Sequence, residues 1–210
     1  MGVKHVGIFL SLAVVACVSE TLAADGGNPL LNASKPTDEK TDRAWKRFRS
    51  PVQNYCVSYP SRWVKGAAFD GGGIYVETGI KRGSRPIGEI DVGPIEIAPP
   101  ADARLKPTRL ANDSLESDLE EHLAGMHKFA KAQQLEILAR NRMTVQGAAA
   151  LFVKSSYFDP LERRNWIEEI VFVAHEGERY RLELECPPDQ LSRFEPVFAY
   201  LVNSFELNCK

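Results

Sequence analysis

Carboxylates are the most numerous groups in this chain whose spacing could do chemistry. Glu89 and Asp91 stand two apart in an alternating run, so they share one face of a strand. Glu168 and Glu169 sit together in a later run. Paired carboxylates suit acid–base work or a hard cation such as Ca²⁺, and they are also the ordinary wet face of an antiparallel sheet. His122 and His127 are five apart in a segment with helical periodicity. That is about 500° of rotation, or about 140° between them, so one metal ion does not take both. His122 falls on the apolar stripe and reads as a packing residue, and His175 adjoins a turn and reads as solvated. The run "DGGG" at 70–73 lacks a following Lys-Ser/Thr and opens onto a strand, so it reads as a turn and not a phosphate loop. The sequence has no GxSxG. Cys56 could act as a nucleophile only with a free thiol and a neighbouring base. No catalytic, cofactor-binding or metal residue is assigned from these patterns. Arg163, Arg164 and Trp166 combine residue types favoured at contact surfaces and form the candidate partner-binding surface.

These residues must be positioned by an ordinary globular domain. The chain has 210 residues, 44% hydrophobic and 26% charged, with a net charge of −2. That length fits one domain plus a leader, and the charge excludes a nucleic-acid binder, which needs a basic face. Lys4 and His5 precede an apolar run from Val6 to Ala16, which suits an export signal and is too short to span a bilayer. Two cleavage readings stand. "VVAC" resembles a bacterial lipobox, with cleavage before Cys17 and lipidation of its sulfur. "TLAA" allows ordinary cleavage after Ala23 or Ala24. Residues 1–24 are thus the export signal, 25–46 a polar linker rich in Gly and Pro, and 47–210 a single domain. The expected home is the periplasm or the membrane surface, with the membrane touched only through a lipid anchor.

Period-two alternation marks strands at Tyr55–Tyr59, Ile74–Thr78 and Ile87–Ala98. Leu115, Leu119, His122, Leu123 and Met126 recur at helical spacing, with Asp113 or Ser114 as the cap. Strands then follow as a meander with turns at Gln146-Gly147, Asp159-Pro160 and "EGE". A last helix follows, with Asp189 as its cap and Leu191, Phe194, Val197, Phe198 and Leu201 as its stripe. The fold class is α+β, a central antiparallel sheet of about six strands flanked by helices. An exported chain permits disulfides. After Cys186 a helix of about 13 residues returns the chain about 20 Å. The extended "SFELNC" covers a similar span, so Cys209 comes back to the level of Cys186. This favours Cys186–Cys209, with Cys56–Cys209 as a close rival.

The start "YCVSYPSRW", the late strand "YRLELEC" and the closing helix ending in "SFEL" resemble the PsbP-like superfamily, over roughly residues 48 to 207. The superfamily includes exported bacterial DcrB-like proteins. The resemblance implies a PsbP-like sandwich, an antiparallel sheet flanked by helices, and no common activity, because fold does not carry function. The functional expectation is an exported, non-catalytic domain that binds a protein or cell-envelope component. The rivals are an envelope enzyme with dispersed residues, or a small-ligand or Ca²⁺ carrier. A deep pocket with converging carboxylates favours the rivals, and an exposed aromatic patch near Trp166 or Trp45 favours surface binding.

Overall fold

The computed structural model describes residues 45–68, 72–95 and 111–209. The export signal, Cys17 and most of the expected linker lie outside the described residues. The first strand begins inside the expected linker, at Trp45. In chain order the strands are β1 (Trp45–Arg49), β2 (Tyr55–Pro60), β3 (Val64–Ala68), β4 (Gly73–Glu77), the two-residue β5 (Lys81–Arg82) and β6 (Arg85–Pro86), and β7 (Glu89–Pro94). Helix α1 (Ala111–Gly125) follows and widens into a π turn at Met126–Ala130. Then come β8 (Gln133–Val145), β9 (Ala148–Asp159), β10 (Arg164–His175), β11 (Glu178–Cys186), α2 (Leu191–Ser204) and β12 (Glu206–Leu207).

The main sheet has seven antiparallel strands in the order β3-β4-β7-β11-β10-β9-β8. β1, β2 and β12 form a separate three-stranded sheet. β5 and β6 form a two-stranded ribbon, so the described residues hold three sheets, and the expected central antiparallel sheet of about six strands is present with seven. The meander β8 to β11 has the sequence order because its turns are short. Gln146-Gly147 and Glu176-Gly177 both take positive φ at two successive residues. This is the backbone of a two-residue hairpin loop whose twist matches its strands, and glycine removes the steric cost at the second position.

Alternation decides which side chain faces which layer. On β11, Tyr180, Leu182, Leu184 and Cys186 join the larger core with Val171 and Val173 of β10 and Phe194, Phe198, Leu201 and Val202 of α2. The opposite face of the sheet receives α1, where Leu115 and Leu119 pack on Leu151, Val153, Ile170 and Phe172. β10 is thus covered on both sides, and eight consecutive residues of it are buried. Tyr55 fastens the small sheet to the large one, its hydroxyl donating to the carbonyls of Gly72 at 3.0 Å and Val92 at 3.2 Å.

The cysteine pairing corrects the favoured expectation. The disulfide is Cys56–Cys209, and Cys186 is a free, buried thiol. The reason is that β12 pairs with β2, placing Glu206 opposite Cys56 and Leu207 opposite Tyr55, whereas Cys186 ends a strand of the main sheet. Both expected helix caps also move. α1 begins two residues before Asp113. Asp189 lies in a 3₁₀ turn (Pro188–Gln190) and pairs with Arg82 at 3.0 Å.

Candidate functional site

The polar residues of β11 should face water if α1 were absent. Instead Arg179, Arg181, Glu183 and Glu185 point beneath α1, because they alternate with the residues committed to the α2 core. β7 lies beside β11 with Glu185 opposite Glu89 and Glu183 opposite Asp91. β10 lies on its other side with Glu185 opposite Glu168. Antiparallel register therefore collects carboxylates from three neighbouring strands on one face. The sequence pair Glu89 and Asp91 belongs to this row.

His122 on α1 meets the row directly. Its Nε2 lies 3.0 Å from Glu168 Oε1, and Ser155 Oγ donates to Glu168 Oε2 at 2.9 Å. Arg181 Nη1 stands 3.4 Å from His122 Nδ1. A guanidinium only donates, so Nδ1 accepts and the Nε2–H donates to Glu168. Arg181 also reaches Glu183, Nε to Oε2, at 2.9 Å. One turn back on α1, Asp118 forms an ion pair with Arg179. The His122 ring packs edge-on to Phe172, with centroids 6.1 Å apart. His122 is thus a packing residue as expected, and in addition a polar partner of the sheet.

These groups surround a cavity of about 430 Å³ between α1 and the sheet. Its walls include Asp118, Glu121, His122, Glu168, Arg181, Glu183 and Glu185, with Phe172, Met126 and Tyr157 as apolar and aromatic lining. The π turn forms part of its rim, and such turns re-space the side chains on either side of them.

The electrostatics follow from crowding like charges in a poorly hydrated space. Burial first, then Glu183 and Glu89, push Asp91 up to about 8. Burial also raises Glu183, with Arg181 opposing, and raises Glu185, with Arg85 opposing. Glu89 is raised by burial and by Glu185. For His122, burial favours the neutral ring, but the bond to Glu168 and the charges of Glu168 and Glu183 outweigh it, and the imidazole sits above its ordinary value.

The order of the bonded groups limits the chemistry. Serine hydrolases place the histidine between serine and carboxylate, so that it takes the serine proton. Here Glu168 stands in the middle, and Ser155 is only 1% exposed. Cys56 is committed to the disulfide. Neither is an activated nucleophile.

The other sequence-derived residues go elsewhere. Trp166 is 1% exposed, so it is not part of a contact surface, which corrects that expectation. It faces the α1 layer because it shares a face of β10 with Glu168 and Phe172, and the Arg85 guanidinium lies 4.1 Å over its ring. Arg85 in turn binds Glu185 and Tyr157. Arg163 is exposed on the β9–β10 loop, and Arg164 is half-buried beside Glu162 at 3.5 Å. Trp45 is half-buried and packs against Tyr200 with the rings tilted and their centroids 4.3 Å apart. Glu169 points away from Glu168, into the α2 side, where it pairs with Lys154 at 2.9 Å. His127 is exposed and outside the cluster.

No protein-family model matches the sequence, and no curated protein matches it. Solved structures do resemble it. The cyanobacterial PsbP protein CyanoP of Synechocystis superposes with a TM-score of 0.52 at 15% identity, over 78% of this chain and 92% of that one. A protein of Bacteroides thetaiotaomicron gives 0.50 at 10% identity, over 79% of this chain and 49% of that one. LpqN, described as involved in cell envelope biogenesis of Mycobacterium tuberculosis, gives 0.49 at 12% identity, over 78% and 90%. The chain therefore shares the α+β fold of CyanoP. At these identities the likeness is one of fold alone.

Proposed function

We propose that this protein is an exported, non-catalytic binding domain of the cell envelope, and that it works through the cavity beneath α1. The observation that carries this reading is charge. Among the described residues, five acidic side chains line the cavity against two basic ones, His122 and Arg181. Such a space favours a small cation, or a cationic group presented by an envelope component. Export is supported by the leader pattern and by the Cys56–Cys209 disulfide, which persists in oxidising compartments. The non-catalytic part rests on the Ser155–Glu168–His122 order and the engaged Cys56.

The test is titration with spermidine, followed by amide chemical shifts. Saturable shifts confined to α1, β10 and β11, and weakened in Glu183→Gln, are the expected result. If neither spermidine nor any metal cation shifts these residues, the reading fails. Turnover of an ester, peptide or glycoside that is lost in Glu168→Gln would replace it with the enzymatic alternative.

A further inference from the structure

We propose that His122, Glu168 and Glu183 form a site for a divalent transition-metal ion of the zinc class, with Arg181 standing in for the ion when the site is empty. The inference rests on the reading that the cavity takes cations and names which cation. One ligand atom from each of the three residues lies within 4.8 Å of the others. A tetrahedral zinc ion with bonds of about 2.0 Å needs ligand atoms about 3.3 Å apart. Binding an ion therefore draws the ligand atoms together by up to about 1.5 Å. One imidazole and two carboxylates suit a borderline ion better than Ca²⁺, which takes six to eight oxygens.

Three further features fit a metal site. The cavity opens on the cluster, so a fourth position is available to water or to a ligand. Glu183 is only 8% exposed and lines that cavity, and its Oε2 accepts no hydrogen bond although Arg181 Nε lies 2.9 Å away. Arg181 balances its charge, but the Nε–H is not aimed at that oxygen. Ser155 holds the second oxygen of Glu168, the kind of outer contact that fixes the orientation of a metal-binding carboxylate.

Arg181 competes with the ion. Its guanidinium faces both Glu183 and His122 Nδ1, and that contact keeps the proton on Nε2. Ligation through Nε2 requires the proton to move to Nδ1, which Arg181 opposes. The Arg181 side chain is 28% exposed and lines the cavity.

The experiment is calorimetric titration of Zn²⁺ into the chelator-treated full chain. The expected result is one ion per chain at this site, with Kd raised at least tenfold in His122→Ala and in Glu183→Gln. Kd should fall at least threefold in Arg181→Ala, an effect that general loss of structure does not produce. Far-UV circular dichroism checks each variant. If His122→Ala does not fold, the Co²⁺-loaded wild-type chain supplies the test, since one nitrogen, two carboxylate oxygens and a water in the fourth position give a tetrahedral d–d spectrum. Unchanged affinity in folded His122→Ala, weaker binding in Arg181→Ala, or an octahedral Co²⁺ spectrum overturns the proposal. Spermidine shifts without zinc binding also overturn it while leaving the cation-binding reading intact. Failure of both cations removes both.

Discussion

Replacing both Cys56 and Cys209 by alanine should destabilise the domain by about 3–5 kcal/mol. The two cysteines are 153 residues apart, so the bond closes almost the whole folded domain into one loop. In the chain-entropy treatment a loop of that size costs the unfolded state about 5 kcal/mol, and measured values are often lower. The native state should change little. Phe205 is fully buried, and α2 is held by Phe194, Phe198, Leu201 and Val202, so the C-terminal segment stays docked without the bond. Loosening should be confined to β12, which is two residues long. The loss therefore arises in the unfolded chain, and this gives the prediction a second signature. Freed of its cross-link, the unfolded chain expands and exposes more surface, so the dependence on urea should steepen while the midpoint falls. The assay is urea unfolding followed by circular dichroism in non-reducing buffer. A loss below about 1 kcal/mol would refute the reasoning, because domains of this kind have only about 5–15 kcal/mol to lose. So would an equal loss in Cys186→Ala accompanied by loss of the cross-link.

The remaining predictions concern buried groups. Trp166→Ala should cost about 3–5 kcal/mol, as for other buried aromatics, and free Arg85 from its stacking face; a cost below about 1 kcal/mol in the same urea assay would show that Trp166 is not a core residue. Cys186, whose thiol burial and the neighbouring Glu169 push up to about 12, should resist thiol reagents at pH 8 in the native protein and react once unfolded; native labelling seen by peptide mass mapping would contradict its burial. Glu169 is pushed up to about 7 by burial, with Lys154 pulling the other way, against an unfolded value of 4.5. Its folded pKa is the higher, so its contribution is full below pH 4.5 and lost as pH climbs through about 7. The melting temperature of Glu169→Gln relative to wild type should therefore rise over that window, and a flat difference would refute the assignment.

How much of this was legible in the sequence can be argued from β11. "YRLELEC" shows by alternation that Tyr180, Leu182, Leu184 and Cys186 face one way and Arg181, Glu183 and Glu185 the other. It does not show what covers the second face. Alternation gives a direction for each side chain, whereas cover depends on where a distant helix docks. Acid residues on a strand read as a wet face until α1 is placed over them. The missed signal was on the helix itself. Asp118 and His122 occupy the same face as Leu115 and Leu119, and polar groups within an apolar stripe need polar partners across the interface. Trp166 failed for the same reason in reverse. It shares a strand face with Glu168, a charged neighbour that makes the face look solvated, yet both are buried. The cysteines failed on sheet membership. The vertical level of Cys209 was derivable from helix and strand lengths, but whether β12 joins the main sheet or β2 depends on lateral pairing, which length does not encode. All three cases come down to non-local pairing. The pairing of β7 with β11 joins residues 86 to 96 positions apart with no local turn to announce it, whereas β10 and β11 are a local hairpin. That same pairing is what crowds Asp91, Glu183, Glu185 and Glu168 under α1. The feature that hides the site from a reading of the sequence is therefore the feature that gives the cavity its charge. A bound cation, as proposed, would let those carboxylates stay ionised together.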